Sequence, residues 1–281
     1  MYWKGRRQSS NIEDRRGSIS KKVVGGGIGT IIIVLIIWML GGDPQSLLNT
    51  LQNGQQSSAS NYIGSEQENE LAQFVSVVLG DTEDVWNLLF RSSGNNYRQP
   101  KLVLFSDAVQ SACGYSSAAT GPFYCPGDKK VYIDLSFLSE LQTRFQAPGD
   151  FAMAYVIAHE VGHHVQNLMG ITDQIFSMRN RISQREFNQY TVRLELQADF
   201  FAGIWAHHAQ RLHNILEQGD IEEALNAASA VGDDRIQKRT QGYIVPDSFT
   251  HGTSEQRMKW FAKGFKSGDL TQGDTFNAEN L

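Results

Sequence analysis

The stretch AYVIAHEVGHHVQ, residues 154–166, decides how this chain is read, because it sets His159, Glu160 and His163 into a run that is otherwise mostly apolar. Pro148-Gly149-Asp150 gives a helix start and Gly170 a stop; between them FAMAYVIA and VQNLM leave little polar face except these groups. Such a helix is buried on most sides, and a buried charge without a partner costs many kcal/mol, so the three groups need a metal ion or a hydrogen-bonding network. A satisfied histidine pair at a helix interface is the blander form of the second case. Positions i and i+4 of a helix lie one above the other, so both imidazoles address one point, and Glu160, one step round, reaches a water held there. Two neutral nitrogen ligands, an open position for water and a carboxylate to take its proton are the parts of zinc-dependent hydrolysis.

A zinc site also needs a third protein ligand. RLELQADFFAGIWA, residues 193–206, places Glu195 and Asp199 four apart on a helix that turns strongly apolar at Phe200, Phe201, Ile204 and Trp205. Two carboxylates on one face of a core helix repel unless a cation lies beside them. Glu195 is therefore expected as the third ligand, with Asp199 accepting the other ring N–H of His159. Ala158 and Gly162 on one helix, with Ala198, Ala202 and Gly203 on the other, permit a close approach. His164, His207, His208 and His213 do not converge on this point and are expected at the surface or at helix ends.

Around this centre the composition is that of a globular protein, with charge unevenly spread. Residues 1–40 carry a net +5 and the remainder −10. An acidic body without a basic stripe is a poor match for nucleic acid, so no nucleic-acid partner is expected. VVGGGIGTIIIVLIIWML, residues 23–40, has no charge and as a helix would rise about 27 Å, enough for a thin bilayer. It reads as a single uncleaved anchor, with a cleaved signal peptide as the alternative. The basic leader then stays in the cytoplasm and the rest lies outside. Residues 41–65 are rich in Gln, Ser, Asn and Gly, like a flexible tether.

Beyond the tether, ENELAQFVSVVLGDTEDVWNLLF reads as an amphipathic helix interrupted at Gly80-Asp81, and KLVLF (101–105) and KVYIDLSF (130–137) as strands. Helical patterns follow at about 150–169, 183–212, 218–230 and 254–266, and the polar tail after Gly268 is expected to fray. Cys113 and Cys125 are the only cysteines. Outside the membrane they would pair; in a reducing compartment they would stay free thiols.

HEVGH, ELQAD and a separate downstream histidine together resemble the bacterial neutral zinc metallopeptidases, the YpfJ-like proteins. The likeness runs nearly end to end, through MYWKGRRQSSNIEDRRG, GPFYCPGDKKVYIDLSF, AHEVGHHVQ, LELQADFFAGIWA and THGTSEQR. HExxH followed by ExxxD on a later helix is also similar to the thermolysin-like gluzincins. That resemblance implies an α+β zincin-like domain of small antiparallel sheet and buried active-site helices, with KVYIDLSF as an edge strand to which an extended peptide substrate adds. FTHGTSEQR is similar to a segment of HtpX-like membrane proteases in which an arginine follows a histidine by six residues, here His251 and Arg257. It makes His251, and with it Tyr243, candidates to stabilise an oxyanion, and gives Arg257 a substrate-binding or structural role.

The organisation expected is a cytoplasmic leader (1–22), a transmembrane anchor (23–40), a linker (41–65), a zinc metallopeptidase domain (66–267) and a tail (268–281). The protein so read is an endopeptidase of the bacterial cytoplasmic membrane. It would bind one zinc ion through His159, His163 and Glu195, with Glu160 as general base. A tethered zinc-binding or interaction module on a degenerate peptidase fold is the rival, and hydrolysis of something other than a peptide a third reading; the intact Glu160 argues against the rival.

Overall fold

The computed structural model describes residues 1–17, 64–117 and 120–281. The expected anchor at 23–40 and nearly all of the linker lie outside them, and no helix among the described residues is long and apolar enough to cross a membrane. The chain divides into two units; one joins Met1–Arg15 to Gly64–Leu281 and contains every element below, while the other, Arg16–Ile63, falls almost wholly outside the described residues.

Four short strands form the main sheet: β1 (Ile12–Asp14), β2 (Lys101–Phe105), β5 (Phe123–Cys125) and β6 (Lys130–Asp134), in the order β1-β2-β6-β5. β1, β2 and β6 are parallel, with Ile12 opposite Leu102 and Lys101 opposite Lys130, while β5 runs antiparallel to β6. The expected α+β class holds, but the sheet is mixed. KVYIDLSF is not its edge. β6 is paired on both sides, and the sequence leaves the sheet at Asp134, whose carboxylate caps the N–H of Ser136 and starts helix α2 (Leu135–Thr143). The edge beside the helices is β5. A separate antiparallel hairpin of β3 (Ala108–Ser111) and β4 (Gly114–Ser117) is tied to the end of β5 by the Cys113–Cys125 disulfide. The bond closes a loop of 12 residues, worth roughly 3 kcal/mol.

Residues 1–15, expected as a leader held apart from the body, are part of it. They supply β1, and they lie along helix α1 (Glu66–Ser92), where Arg6 reaches Asp81 at 2.5 Å and Arg7 reaches Glu83 at 3.0 Å. Gly80 does not interrupt α1; it makes room for the arm, since a Cβ there would stand 2.9 Å from the Arg7 carbonyl oxygen. The amino-terminal arm and the body therefore belong to one folded unit. The tail is not frayed either: Thr275 is fully buried and Arg193 donates to the carbonyls of Thr275 and Ala278.

The remaining helices are α3 (Asp150–Leu168), α4 (Ile171–Phe176), α5 (Gln184–His213), α6 (Asp220–Ala230), α7 (Asp233–Gln241) and α8 (Ser254–Ser267). α3 is the core: from Phe151 to Gln166 every residue is buried except His163. Its Gly162 lets α5 approach, a Cβ there meeting the Ala198 carbonyl oxygen at 3.1 Å. Gly203 serves a different contact from the one expected. It faces α8, where Gly203 and Gly264 would place a Cβ 2.2 Å from the Phe261 and Phe200 carbonyl oxygens respectively. That crossing sets Arg257 of α8 against Asp199 of α5.

Candidate metal centre

Long helices hold the site, two of them with side-chain capping boxes. α5 begins with a capping box of Ser183 and Glu186, and α8 with one of Thr253 and Gln256. Where α3 and α5 meet, His159, His163 and Glu195 each offer a ligand atom within 4.8 Å of the others. Glu195 lies 3.2 Å from His159 Nε2 and 3.4 Å from His163 Nε2. Ligand atoms about 2.1 Å from a tetrahedral zinc ion are about 3.4 Å apart, so the spacing suits zinc.

The far sides of both imidazoles are fixed. His159 Nδ1–H donates to Asp199 at 2.8 Å, and His163 Nδ1–H to the Gln166 side-chain oxygen at 2.9 Å. Gln166 is itself locked, its amide donating to the Leu194 carbonyl and to Gln197. Each Nε2 therefore presents a lone pair to the common point, the tautomer a metal ligand needs. Without a cation the cluster must hold a proton instead. Burial alone would lower His159, but Asp199 and Glu195 outweigh it and bring its pKa up to about 10. Burial alone would raise Glu195, but the neighbouring histidines hold it well below the usual carboxylate range. A divalent ion replaces that proton with a stronger charge, so donor set, spacing and electrostatics all fit zinc.

Asp199 accepts more than His159. Tyr155 OH donates to it at 2.5 Å, and Arg257 Nε and Nη2 at 2.8 and 2.9 Å. Asp199 is fully buried and Arg257 nearly so; burial opposes ionisation of both, but each outweighs it for the other, lowering the acid and raising the base. Arg257 also lines the cleft over these groups.

A cleft of about 630 Å³ opens over the three ligands, and Glu160, His251 and β5 residues Phe123 and Tyr124 line it. Among the described residues the Glu160 carboxylate has no hydrogen-bond partner, although the residue is 8% exposed. His251 is half exposed, with its Nδ1 3.3 Å from Asp233. Asp233 also accepts the backbone N–H groups of Thr250, His251 and Gly252, which fixes this turn over the cleft. Burial would lower His251; the Glu195 charge and Asp233 raise it overall.

Tyr243 is the expected site residue that the structure leaves out: it is 63% exposed on the loop after α7 and does not line the cleft. Residues that sequence reasoning missed are Tyr155, Gln166 and Asp233. The first two had a signal, since they stand four before His159 and three after His163 on the same helix. Asp233 had none, being far from His251 in sequence and on another element.

Sequence comparison adds to this geometry. The family described as "Putative neutral zinc metallopeptidase" matches residues 1–276. The chain belongs to that family. Its relatives include "Uncharacterized protein YpfJ" of Escherichia coli (strain K12), 48% identical over 286 residues, which cover 98% of this chain and 99% of that protein. "Uncharacterized protein Rv2575" of Mycobacterium tuberculosis (strain ATCC 25618 / H37Rv) is 42% identical over 224 residues, covering 76% and 73%. No solved structure matches. The family match begins at residue 1, so it takes in the arm that supplies β1 as well as the candidate ligands His159, His163 and Glu195.

Of the histidines set aside from the metal, His164 is not at the surface. It is 1% exposed, donates from Nε2 to the Arg98 carbonyl at 2.6 Å, and accepts at Nδ1 from Tyr124 OH. Burial pushes it down to about 4. A depressed histidine contributes stability that is complete above its unfolded pKa of about 6.5 and lost as pH falls through the folded value. The native state should therefore lose about 3 kcal/mol between pH 6.5 and 4 relative to a His164→Gln variant. Urea denaturation of both proteins across that range measures the difference; parallel curves would remove His164 as the cause.

Proposed function

We propose that this chain is a zinc-dependent endopeptidase, and the observation that carries the reading is the unpartnered Glu160 carboxylate facing the same cleft as the three ligand atoms. A site built only to hold a metal has no use for a carboxylate that faces the cleft beside the ligand atoms and bonds to nothing else among the described residues. His159, His163 and Glu195 would hold the ion. When bound, zinc supplies Lewis acidity to a water and to the scissile carbonyl. Glu160 accepts the water's proton and delivers it to the leaving amine. His251, braced by Asp233, donates to the oxygen on which negative charge develops. Asp199, held by Arg257 and Tyr155, and Gln166 keep the two imidazoles in the tautomer described. The free edge of β5 gives an extended peptide a strand to pair with, in place of the internal β6.

The disulfide supports placing the body on the oxidising side of the bacterial cytoplasmic membrane. Residues 23–40 would be its membrane contact, and the arm would share the side of the body. Single cysteines introduced at Ser10 and Gln67, both exposed and flanking the apolar segment, should react alike with an impermeant maleimide in intact cells. Labelling of one alone would restore a one-way crossing between them.

The full chain should purify with about one zinc ion and hydrolyse unstructured peptides. Chelation should abolish the activity and added zinc restore it. Zinc bound with no peptide cleaved would favour the non-catalytic module.

A further inference from the structure

Part of the cleft wall consists of Arg144, Phe145 and Arg239. The same three residues form one side of a neighbouring hollow of about 280 Å³, completed by Gln146, Arg235 and Lys238. Four cationic side chains and no carboxylate line that hollow, on a chain whose residues from 41 onward carry a net −10. The Arg239 guanidinium lies 4.8 Å from the centre of the Phe145 ring and that of Arg144 5.6 Å.

Two guanidiniums gathered on one ring repel each other, and stacking on the partly buried Phe145 ring returns only about 0.5–2 kcal/mol apiece. Glu140 offsets one of them through its 3.2 Å pair with Arg144. Among the described residues Arg235, Lys238 and Arg239 have no carboxylate partner; Arg235 donates to the uncharged Ser229 hydroxyl. The dipole of α7 explains cations near its carboxyl end, Lys238 and Arg239. The carboxyl end of α2 likewise suits Arg144, its C-cap residue, but neither dipole explains Arg235 in the first turn of α7, where a cation is unfavourable. What remains is a positive hollow that shares Arg144, Phe145 and Arg239 with the cleft and is short of counter-charge.

We propose that this hollow binds a carboxylate of the peptide lying in the cleft, so that the protein selects substrates with an acidic side chain close to an apolar one. The apolar residue would rest on Phe137, Phe145 and Val156, which line the same cleft. This selectivity rests on the peptidase reading above.

The test uses the full chain carrying Glu160→Gln, so that peptides bind without turnover. Its probes are labelled, carboxyl-amidated peptides that differ only in Glu or Gln near a central Phe. By fluorescence anisotropy the Glu peptide should bind about tenfold more tightly. The advantage should shrink as salt rises from about 0.05 to 0.5 M, and fall within about twofold when Arg144→Gln and Arg239→Gln are added. Arg239→Glu should turn the preference toward a Lys peptide, which a merely structural Arg239 would not do. Equal binding of the Glu and Gln peptides at every position tried overturns the proposal. A Gln peptide with a free terminal carboxylate that binds better than the amidated Glu peptide overturns it in favour of a chain-end site. Wild-type protein that cleaves none of these peptides counts against the peptidase reading alone, because the Glu-to-Gln binding ratio decides the subsite without any cleavage.

Discussion

Glu160→Gln should leave about one zinc per chain and lower kcat for peptide hydrolysis by 10²–10⁴-fold, the usual range for loss of a general base. The zinc should stay because Glu160 is not among the three ligating side chains, and because the amide has nearly the shape of the acid. Stability should hardly change, since the carboxylate has no hydrogen-bond partner to lose. The variant thus separates two explanations of the same buried residue. A structural Glu160 would show its loss in the melting temperature and metal content; a base shows it in turnover alone. Activity within tenfold of wild type, with zinc retained, would remove Glu160 from the role of base. His251→Ala should by contrast cost about 10²–10³-fold, the size measured for removal of one oxyanion donor.

The residues that make this test possible were legible because helical spacing is a strong constraint. HExxH and ExxxD each fix two side chains on one face, and the apolar letters around them announce burial before any contact is known. The meeting of the two helices, the ligand trio and the Asp199–His159 bond follow from that. Spacing goes no further than its own helix. Tyr155 and Gln166 lay within its reach, whereas Asp233 and His251 are joined only by the fold. Tyr243 failed because a loop tyrosine carries no directional information. The sheet was harder. β1 and β5 are three residues each, too short for an alternating pattern, and without them β6 looked like an edge. The arm was hidden more deeply, since Arg6, Arg7, Ser9 and Asn11 read as a solvated basic leader and their acidic partners lie over 70 residues away.

A chain shortened to 66–281, the boundary that sequence alone recommends, should fail to hold the native fold. Glu83 is 2% exposed and would lose Arg7, the Ser9 hydroxyl at 2.5 Å and the Asn11 amide at 2.7 Å together. Breaking a buried ion pair by removing one partner costs about 3–5 kcal/mol. Asp81 adds less: burial already pushes its pKa up to about 7 beside Arg6, so without Arg6 it takes a proton. Loss of β1 also strips the edge of β2, exposing backbone that now accepts and donates within the sheet. Together these losses rival the 5–15 kcal/mol of net stability a domain usually has. Urea denaturation followed by circular dichroism should show little or no folded baseline for the fragment, and a synthetic 1–15 peptide should restore it in proportion to its concentration. The same peptide with Arg6→Ala and Arg7→Ala should not. A fragment as stable as the full chain would mean that Glu83 finds other partners and that the arm is peripheral. The proposed metal site depends on the outcome too, because α1 packs against both α3 and α5, the helices that carry the three candidate ligands.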